Sequence, residues 1–249
     1  NSRIIKNQDI NHDMLFEIFK NKLETKPFYQ TFSDEKKFLL LKGAEYRFKE
    51  YLKNHPEETE IICLEKRFTA PLSIPDIGEL KISGKIDRVD LRDNIYIVLD
   101  YKTGFINDVS FTKNFKLDIY SLINNKKFND EDLHEINNYI PDLQLPIYAH
   151  LFARSFKENN GQNIWDKTTA AYIQLRENGK EKYFFEPDKL IDLDESGTSS
   201  EYSMWLQNDL PELIKFIVMH IINSKYWYGP ISEKACAYCD FCKMCRYET

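Results

Sequence analysis

The sequence predicts a mixed α/β fold in which a central β-sheet is flanked by helices. Two observations lead to this prediction. Apolar residues recur at helical spacing near the N-terminus and again in the second half of the chain, whereas the segments between them are rich in β-branched and aromatic residues. The resulting order of helices, three strands, a helix and a further strand is typical of a mixed sheet rather than a doubly wound parallel one. With 249 residues, of which 42% are hydrophobic, the chain is long enough for one large domain.

We therefore expect residues 1–249 to form a single domain, with a core over about residues 10–225 and a cysteine-rich segment over about 226–249. Two helices are predicted before the first strand. The first runs from Asp9 to about Glu24, with its apolar positions at Ile10, Met14, Leu15, Ile18, Phe19 and Leu23. The second runs from about Asp34 to Lys53 and ends before the His55-Pro56 turn, because proline disfavours a helical residue before it.

Three strands are predicted next, over Glu60 to Phe68, Glu79 to Leu91 and Asn94 to Lys102. The last two are separated by Asp93 and Asn94, residue types that suit a two-residue hairpin turn. These two strands should therefore pair as an antiparallel hairpin.

The rest of the chain is predicted to hold one more strand pair between two helices. A polar connector from about Gly104 to Pro141 leads to a helix from Leu143 to about Phe156. A strand over Thr169 to Arg176 follows, with Lys182 to Phe185 as its candidate partner. A helix from about Ser200 to Ser224 precedes the cysteine-rich segment.

Hydropathy and charge indicate a soluble cytoplasmic protein. The chain has no run of about 18 apolar residues and no N-terminal pattern of a signal peptide, and its most hydrophobic stretch, from Ile214 to Ile222, is interrupted by Lys215 and His220. The net charge of −6 argues weakly against a nucleic-acid partner. An acidic metal cleft would, however, make a nuclease acidic overall while a local basic strip still contacts phosphates.

The hairpin carries the most informative group of charged residues. If Arg92 faces Ile95 across the turn, counting outward places Asp87 opposite Asp100, with Cβ atoms about 5 Å apart. Two facing carboxylates repel unless a cation lies between them, and Mg²⁺ prefers carboxylate oxygens. Lys102 projects from the same face as Asp100, where it can stabilise charge on a phosphate or orient a water. The grouping is typical of metal-dependent phosphodiester hydrolysis.

The alternative interpretation is an exposed hairpin with ordinary surface charges. An Asp-x-Lys tripeptide alone is common by chance, and a slip of one residue in the register would separate the carboxylates. Arg88 fits a surface ion pair with Asp90 better than a phosphate contact, and Glu65 fits an exposed strand position. We assign structural roles to the remaining histidines, which are His55, His134, His150 and His220.

The order of motifs resembles the PD-(D/E)XK nucleases, specifically their RecB/AddB-like branch. The stretches GKIDRVD at 84–90 and IVLDYKTG at 97–104 resemble the second and third motifs of that family. The segment around His12 resembles the helical histidine motif that precedes the carboxylates. Gln144 and Tyr148, four residues apart on one predicted helix face, are similar to the glutamine–tyrosine motif that follows the lysine.

The resemblance implies a restriction-endonuclease-like fold and a role for each matching residue. Asp87 and Asp100, with His12 and the backbone carbonyl of Tyr101, would hold Mg²⁺ or Mn²⁺. Lys102 would position or activate the water. Gln144 and Tyr148 would contact DNA or support the site.

The C-terminal cysteines are a separate candidate centre. Cysteines spaced two residues apart in a chain without a secretion signal favour a metal or iron–sulfur centre over disulfides. The resemblance implies that Cys236, Cys239 and Cys245 ligate a 4Fe–4S cluster whose fourth ligand lies upstream of His12, where this chain has no cysteine. Cys242 or Cys63 could substitute, or the cluster could be absent from this fragment. Zinc bound by the four clustered cysteines is the alternative, since thiolates serve either metal.

These features together predict a metal-dependent DNA nuclease, an exonuclease more than an endonuclease, that hydrolyses single-stranded DNA. We expect it to be the nuclease part of a RecB/AddB-type helicase–nuclease in double-strand-break repair and recombination. No Walker A motif is present, so the helicase would lie elsewhere on a longer chain or on a partner. Two alternatives remain open: a stand-alone CRISPR-associated iron–sulfur exonuclease, and an inactive nuclease fold that binds DNA.

Overall fold

The computed structural model describes residues 3–75, 77–104, 106, 110–111, 136, 140, 142–191 and 198–223. The helices are α1 (His12–Glu24), α2 (Pro27–Gln30), α3 (Asp34–Lys53), α4 (Gln144–Asn160), α5 (Asp188–Ile191), α6 (Thr198–Met204) and α7 (Leu210–Asn223). The strands are β1 (Arg3–Lys6), β2 (Glu58–Ile74), β3 (Gly78–Arg92), β4 (Ile95–Lys102), β5 (Thr168–Gln174) and β6 (Lys180–Tyr183).

The strands form one six-stranded sheet in the order β1-β2-β3-β4-β5-β6. β4 and β5 are parallel, whereas the other neighbouring pairs are antiparallel. A parallel pair needs a crossover connection, and α4 lies in the connection between β4 and β5. The mixed sheet with flanking helices confirms the fold class predicted from the sequence.

The hairpin between β3 and β4 has the predicted turn and register. Asp93 and Asn94 adopt left-handed conformations, with φ of 48° and 65°, as a two-residue turn of the mirror-image type requires. Arg92 pairs with Ile95, and the pairing continues to Arg88 opposite Leu99. One further step outward places Asp87 opposite Asp100.

Helices cover the two faces of this hairpin differently. On one face, α4 buries Leu145, Ala149 and Phe152 against the sheet. Tyr96 of β4 contacts the Phe152 ring at a centroid distance of 5.5 Å. On the other face the end of α3 contacts the end of β4, with the Tyr51 and Tyr101 ring centroids 6.3 Å apart. Along each of these two strands, side chains therefore alternate between the face toward α4 and the face toward α3.

Several element bounds differ from the sequence-based predictions. β1 was not predicted, because its four residues form a short, mostly exposed edge strand with little hydrophobic signal. β2 extends to Ile74 rather than ending at Phe68, since alternate residues of the added stretch are buried. The predicted helix over Ser200 to Ser224 is divided by a π-helical turn over Trp205–Asp209.

The predicted second strand pair is present, with shifted ends. β5 ends at Gln174, where a 3₁₀ turn begins, and β6 ends at Tyr183. No helix among the described ranges has both the length and the apolar character needed to cross a membrane.

Candidate active site beside strand β4

Three predicted site residues contact one another at the end of β4. Lys102 Nζ lies 2.9 Å from Asp100 Oδ2 and donates a hydrogen bond of 2.7 Å to Gln144 Oε1. The Gln144 amide then donates from Nε2 to Asp100 Oδ1 at 2.8 Å. The three side chains therefore form a closed triangle, although Gln144 is 44 residues away from Asp100 in sequence.

Local structure explains how the triangle forms. Asp100 and Lys102 are two residues apart on β4, so their side chains project from the same face of the sheet. Gln144 is the first residue of α4, which brings it over that face. Its backbone N–H donates to Asp142 Oδ1 at 2.7 Å, so Asp142 satisfies an otherwise unpaired group at the start of the helix.

Asp87 lies beside this triangle on β3. Its Oδ2 atom accepts a hydrogen bond of 3.0 Å from the Tyr101 backbone N–H, which turns the carboxylate toward the end of β4. Asp87 also raises the pKa of the Asp100 carboxyl, which places the two carboxylates within electrostatic reach of each other. The two carboxylates therefore lie at the same end of the β3–β4 hairpin, whereas their joint action on a metal stays a prediction.

Asp100 is a buried carboxylate on which one ammonium and two further carboxylates act. Burial has the largest effect and raises the pKa of Asp100, which is 5% exposed. The Lys102 ammonium lowers that pKa, but the carboxylates of Asp87 and Asp142 raise it further, and the net direction is upward. Two further carboxylates and one ammonium thus act on Asp100, so these four groups together carry a surplus of negative charge.

Tyr172 and Asp142 belong to this site, although the sequence did not single them out. The Tyr172 hydroxyl donates to Asp142 Oδ2 at 2.5 Å, and the Lys102 Nζ atom lies 4.9 Å from the centre of the Tyr172 ring. Burial, followed by the Asp142 carboxylate, raises the pKa of the Tyr172 hydroxyl, which therefore stays protonated and acts as a donor. One sequence signal was available for Asp142, because aspartate is favoured just before a helix.

Gln174 is a second residue that the sequence did not identify. It pairs with Lys102 across the parallel β4–β5 register, so it lies on the same face. Its side chain is fully buried, yet neither Oε1 nor Nε2 has a hydrogen-bond partner among the residues that the structure describes. An unpaired buried amide is costly, and such groups in native structures call for an explanation.

Tyr148 packs against β3 rather than joining the triangle. A methyl group added to Gly84 would lie 2.7 Å from Tyr148 Cε1, closer than real carbon contacts allow. The glycine at the start of the GKIDRVD stretch is therefore required for the close approach of this ring. Whether Tyr148 acts on DNA stays a prediction.

His12 lies in the first turn of α1, next to the N-cap residue Asn11. Its Nδ1 atom is 3.3 Å from Asp13 Oδ1, while Nε2 is buried and has no hydrogen-bond partner. In the described parts of the chain, no three His, Cys, Asp or Glu side chains lie close enough to hold a metal ion. Metal ligation by His12 and by the Tyr101 carbonyl therefore stays a prediction.

The carboxylates nevertheless fit a divalent cation. Asp100 Oδ2 is buried and makes an ion-pair contact with Lys102 but no hydrogen bond, which leaves a carboxylate oxygen with unused acceptor capacity. Mg²⁺ typically takes only one or two protein carboxylates and completes its shell with waters and substrate phosphates. Asp87 and Asp100 supply that donor set.

On the opposite face of the hairpin, one sequence-based interpretation was wrong, namely that Arg88 and Asp90 form a surface ion pair. Arg88 and Asp90 do form an ion pair, with Nε and Oδ1 2.6 Å apart, but it is buried rather than on the surface, since the two side chains are 6% and 0% exposed. The expectation failed because α3 and the His55 turn cover this face. His55 Nε2 lies 3.1 Å from Arg88 Nη2, which agrees with a structural role for that histidine.

The cysteine cluster at Cys236, Cys239, Cys242 and Cys245, like His134, lies outside the described residues. Cys63 is described and is a free thiol whose pKa is raised by burial.

Comparison with known proteins agrees with the geometry. The family model of the PD-(D/E)XK nuclease superfamily matches residues 4–246. No curated protein matches the chain. The family match spans β2 to β6, all but the first residue of β1, and the triangle of Asp100, Lys102 and Gln144. The chain therefore belongs to the PD-(D/E)XK nuclease superfamily.

Proposed function

We propose that this protein is a divalent-metal-dependent nuclease that hydrolyses phosphodiester bonds of DNA at Asp87, Asp100 and Lys102. The observation that carries the proposal is the surplus of carboxylates around Asp100, which pairs with Lys102. Burial and two neighbouring carboxylates raise the pKa of Asp100, and Lys102 offsets this only in part. A site that is short of positive charge is suited to a cation.

In this mechanism Asp87 and Asp100 would hold Mg²⁺ or Mn²⁺, with His12 and the Tyr101 carbonyl as further ligands. When bound, such an ion would polarise the scissile phosphate as a Lewis acid. Lys102 orients the attacking water and stabilises the negative charge that develops on the phosphate oxygens.

Gln144 keeps the two catalytic side chains in place, because it accepts from Lys102 and donates to Asp100. An ammonium group has three N–H donors, so Lys102 can contact Asp100 and Gln144 and still offer a donor to substrate or water. Asp142 and Tyr172 fix Gln144 in turn, through its backbone N–H and the start of α4.

We further propose that the substrate is single-stranded DNA and that the chain is the nuclease part of a RecB/AddB-type helicase–nuclease in break repair. The order of the histidine, carboxylate, lysine and glutamine–tyrosine motifs supports this. Cys236, Cys239 and Cys245 would ligate a 4Fe–4S cluster. Iron and zinc analysis of the purified protein would separate this assignment from a zinc site, which binds neither iron nor sulfide.

The test is cleavage of end-labelled single-stranded DNA with Mg²⁺, with Mn²⁺ and with EDTA. We expect metal-dependent cleavage by the wild type, and loss of about 10²–10³-fold in rate for Lys102→Ala. Lys85→Ala is the matched control, because Lys85 is an exposed lysine on β3 that pairs with Glu65 instead. Equal cleavage by the Lys102→Ala protein would contradict the proposal. DNA binding without cleavage in any protein would indicate an inactive DNA-binding module.

A further inference from the structure

A groove of about 560 Å³ lies between α1, α3 and the end of β4. Four aromatic side chains line it, namely Phe19, Phe48, Tyr51 and Tyr101. The Phe19 and Phe48 rings are in contact at a centroid distance of 5.2 Å. Its volume lies within the range of small-molecule sites, which is roughly 300–1,000 Å³.

The shape of the groove depends on small residues in the middle of α3. Gly43 and Ala44 line it, and a methyl group added to Gly43 would meet no atom within 4 Å. Glycine inside a helix is less favourable than alanine, so helix stability does not explain Gly43. Its effect in the structure is to leave space that a larger side chain would fill.

Arg47 supplies a positive charge at the groove. It lies one helical turn after Gly43, is exposed, and makes no hydrogen bond or ion pair within the described ranges of the chain. Its neighbours on α3 differ, because Lys42 and Lys49 each bond to Glu45 at 3.0 Å. Arg47 is therefore available to an anionic ligand.

The groove adjoins the strand that carries the candidate active site. Tyr101 and Thr103 line it, and they flank Lys102 in sequence. The Tyr101 backbone N–H also donates to Asp87. Since Tyr101 and Lys102 project from opposite faces of β4, a nucleic-acid strand with one phosphate at Lys102 would pass around the end of β4 for a further nucleotide to enter the groove.

We propose that this groove binds an unpaired nucleobase of single-stranded DNA, with Arg47 contacting a phosphate of the same strand. The inference rests on the proposed nuclease function and adds a physical reason why single-stranded DNA would be preferred to a duplex. Aromatic rings stack on the face of any base, and a cation beside them attracts the backbone. A base in a duplex is already stacked and paired, so it would have to leave the helix to enter.

The test measures affinity in EDTA, so that no cleavage is needed. Binding of a fluorescent single-stranded thymidine oligonucleotide is compared with binding of an abasic oligonucleotide of equal length, by anisotropy. We expect Gly43→Leu, which fills the groove, and Arg47→Gln each to weaken thymidine-strand binding about tenfold. Gly43→Ala and Lys42→Gln are matched controls that should bind like the wild type. Thermal unfolding checks that each variant is folded.

The abasic strand makes the result specific to the base. We expect the wild type to prefer the thymidine strand and Gly43→Leu to lose that preference. Unchanged affinity in both Gly43→Leu and Arg47→Gln, or equal binding of both strands by the wild type, would overturn the inference. Metal-dependent cleavage by the wild type is measured in parallel. Cleavage without base preference refutes only the groove, whereas base preference without cleavage refutes only the nuclease.

Discussion

The two faces of the β3–β4 hairpin hold their charges in opposite ways. On the face toward α4, Lys102 pairs with Asp100, and the carboxylates of Asp87 and Asp142 act electrostatically on the same Asp100. On the face toward α3, Asp90 and Glu181 are matched by Arg88 and Arg92. One strand pair thus carries both a charge-matched and a charge-deficient cluster. We infer that the charge-matched face toward α3 stabilises the fold, whereas the charge-deficient face toward α4 is suited to a cation.

In the charge-matched cluster of Arg88, Asp90, Arg92 and Glu181, every charged side chain directly contacts one of opposite charge. Arg92 contacts both Asp90, at 2.7 Å, and Glu181, at 2.8 Å. Arg88 makes two hydrogen bonds to Asp90 and a third, of 3.1 Å, to the Tyr51 hydroxyl. Buried charges are tolerated when they are paired and hydrogen-bonded in this way. In the cluster toward α4, by contrast, the described part of the chain shows no second cation paired with Asp100.

The largest effect is expected from unbalancing the matched face. Asp90→Asn leaves Arg88 and Arg92 buried with one carboxylate fewer, and should lower the free energy of unfolding by about 3–5 kcal/mol. Urea denaturation measures this. Asp13→Asn is the control, since Asp13 is 98% exposed and its loss should change stability little. An unchanged midpoint for Asp90→Asn would show that the buried network is not stabilising.

On the α4 face, replacing a buried polar side chain by an apolar one should raise the free energy of unfolding instead of lowering it. Gln174→Leu replaces a buried amide that has no hydrogen-bond partner by an apolar side chain of similar size. We expect the free energy of unfolding to rise by about 1 kcal/mol, because an unsatisfied polar group is removed. Gln174→Glu, which adds a buried charge, should lower it. Destabilisation by Gln174→Leu would mean that the amide is satisfied in solution.

Acidification should weaken the matched face through His55. Burial lowers the pKa of His55 below its ordinary value of 6.5, and the Arg88 guanidinium lowers it further. A lowered pKa means that the stability contributed by neutral His55 is fully present above about pH 6.5 and is lost as the pH falls through the folded-state pKa. Protonation also removes the acceptor for Arg88, a loss of about 1 kcal/mol.

His55→Gln keeps an acceptor that does not titrate. Its free energy of unfolding should therefore fall less than that of the wild type between about pH 7 and pH 5, the range in which histidines titrate. The pKa of His150 is also lowered by burial, so part of the pH dependence should remain. If the free energy of unfolding varies with pH in the same way for the wild type and His55→Gln, His55 does not contribute to the pH dependence of stability.

The smallest expected effect comes from relieving the repulsion at Asp100. Because its pKa is raised in the folded protein, Asp100 favours folding in its protonated form, and this contribution is lost as the pH rises through the folded-state pKa. At neutral pH without metal, Asp100→Asn should raise the free energy of unfolding by up to about 1 kcal/mol, the scale of a like-charge pair in a sheet. A decrease would show that the Lys102 ion pair outweighs the repulsion.

The comparison also shows which parts of the site were predictable from sequence. The register that brings Asp87 opposite Asp100 depends only on the turn at Asp93 and Asn94 and on the two-residue period of a strand. Such local rules can be applied without a structure. The family resemblance only assigned Gln144 to the site; its contact with Lys102 was not predicted, because it joins residues 42 positions apart.

The residues that were missed depend on long-range packing. Tyr172 and Gln174 reach the site because β5 lies parallel to β4 after a crossover of more than 60 residues. Nothing local to the Thr169–Arg176 segment specifies that neighbour. The burial of Arg88 likewise requires α3 and the distant carboxylate of Glu181 beside Arg92, so an ion pair two residues apart was read as a surface feature.

The most direct test of the account is Mn²⁺ binding, followed by the electron paramagnetic resonance signal of the free ion. We expect the wild type to bind Mn²⁺ and Asp100→Asn to lose that binding. Glu181→Gln, which removes a carboxylate from the matched face, should bind like the wild type. Loss of binding in Asp100→Asn alone is the result that the account predicts. Equal binding by all three proteins would contradict it, because the ion would then not depend on the carboxylates around Lys102.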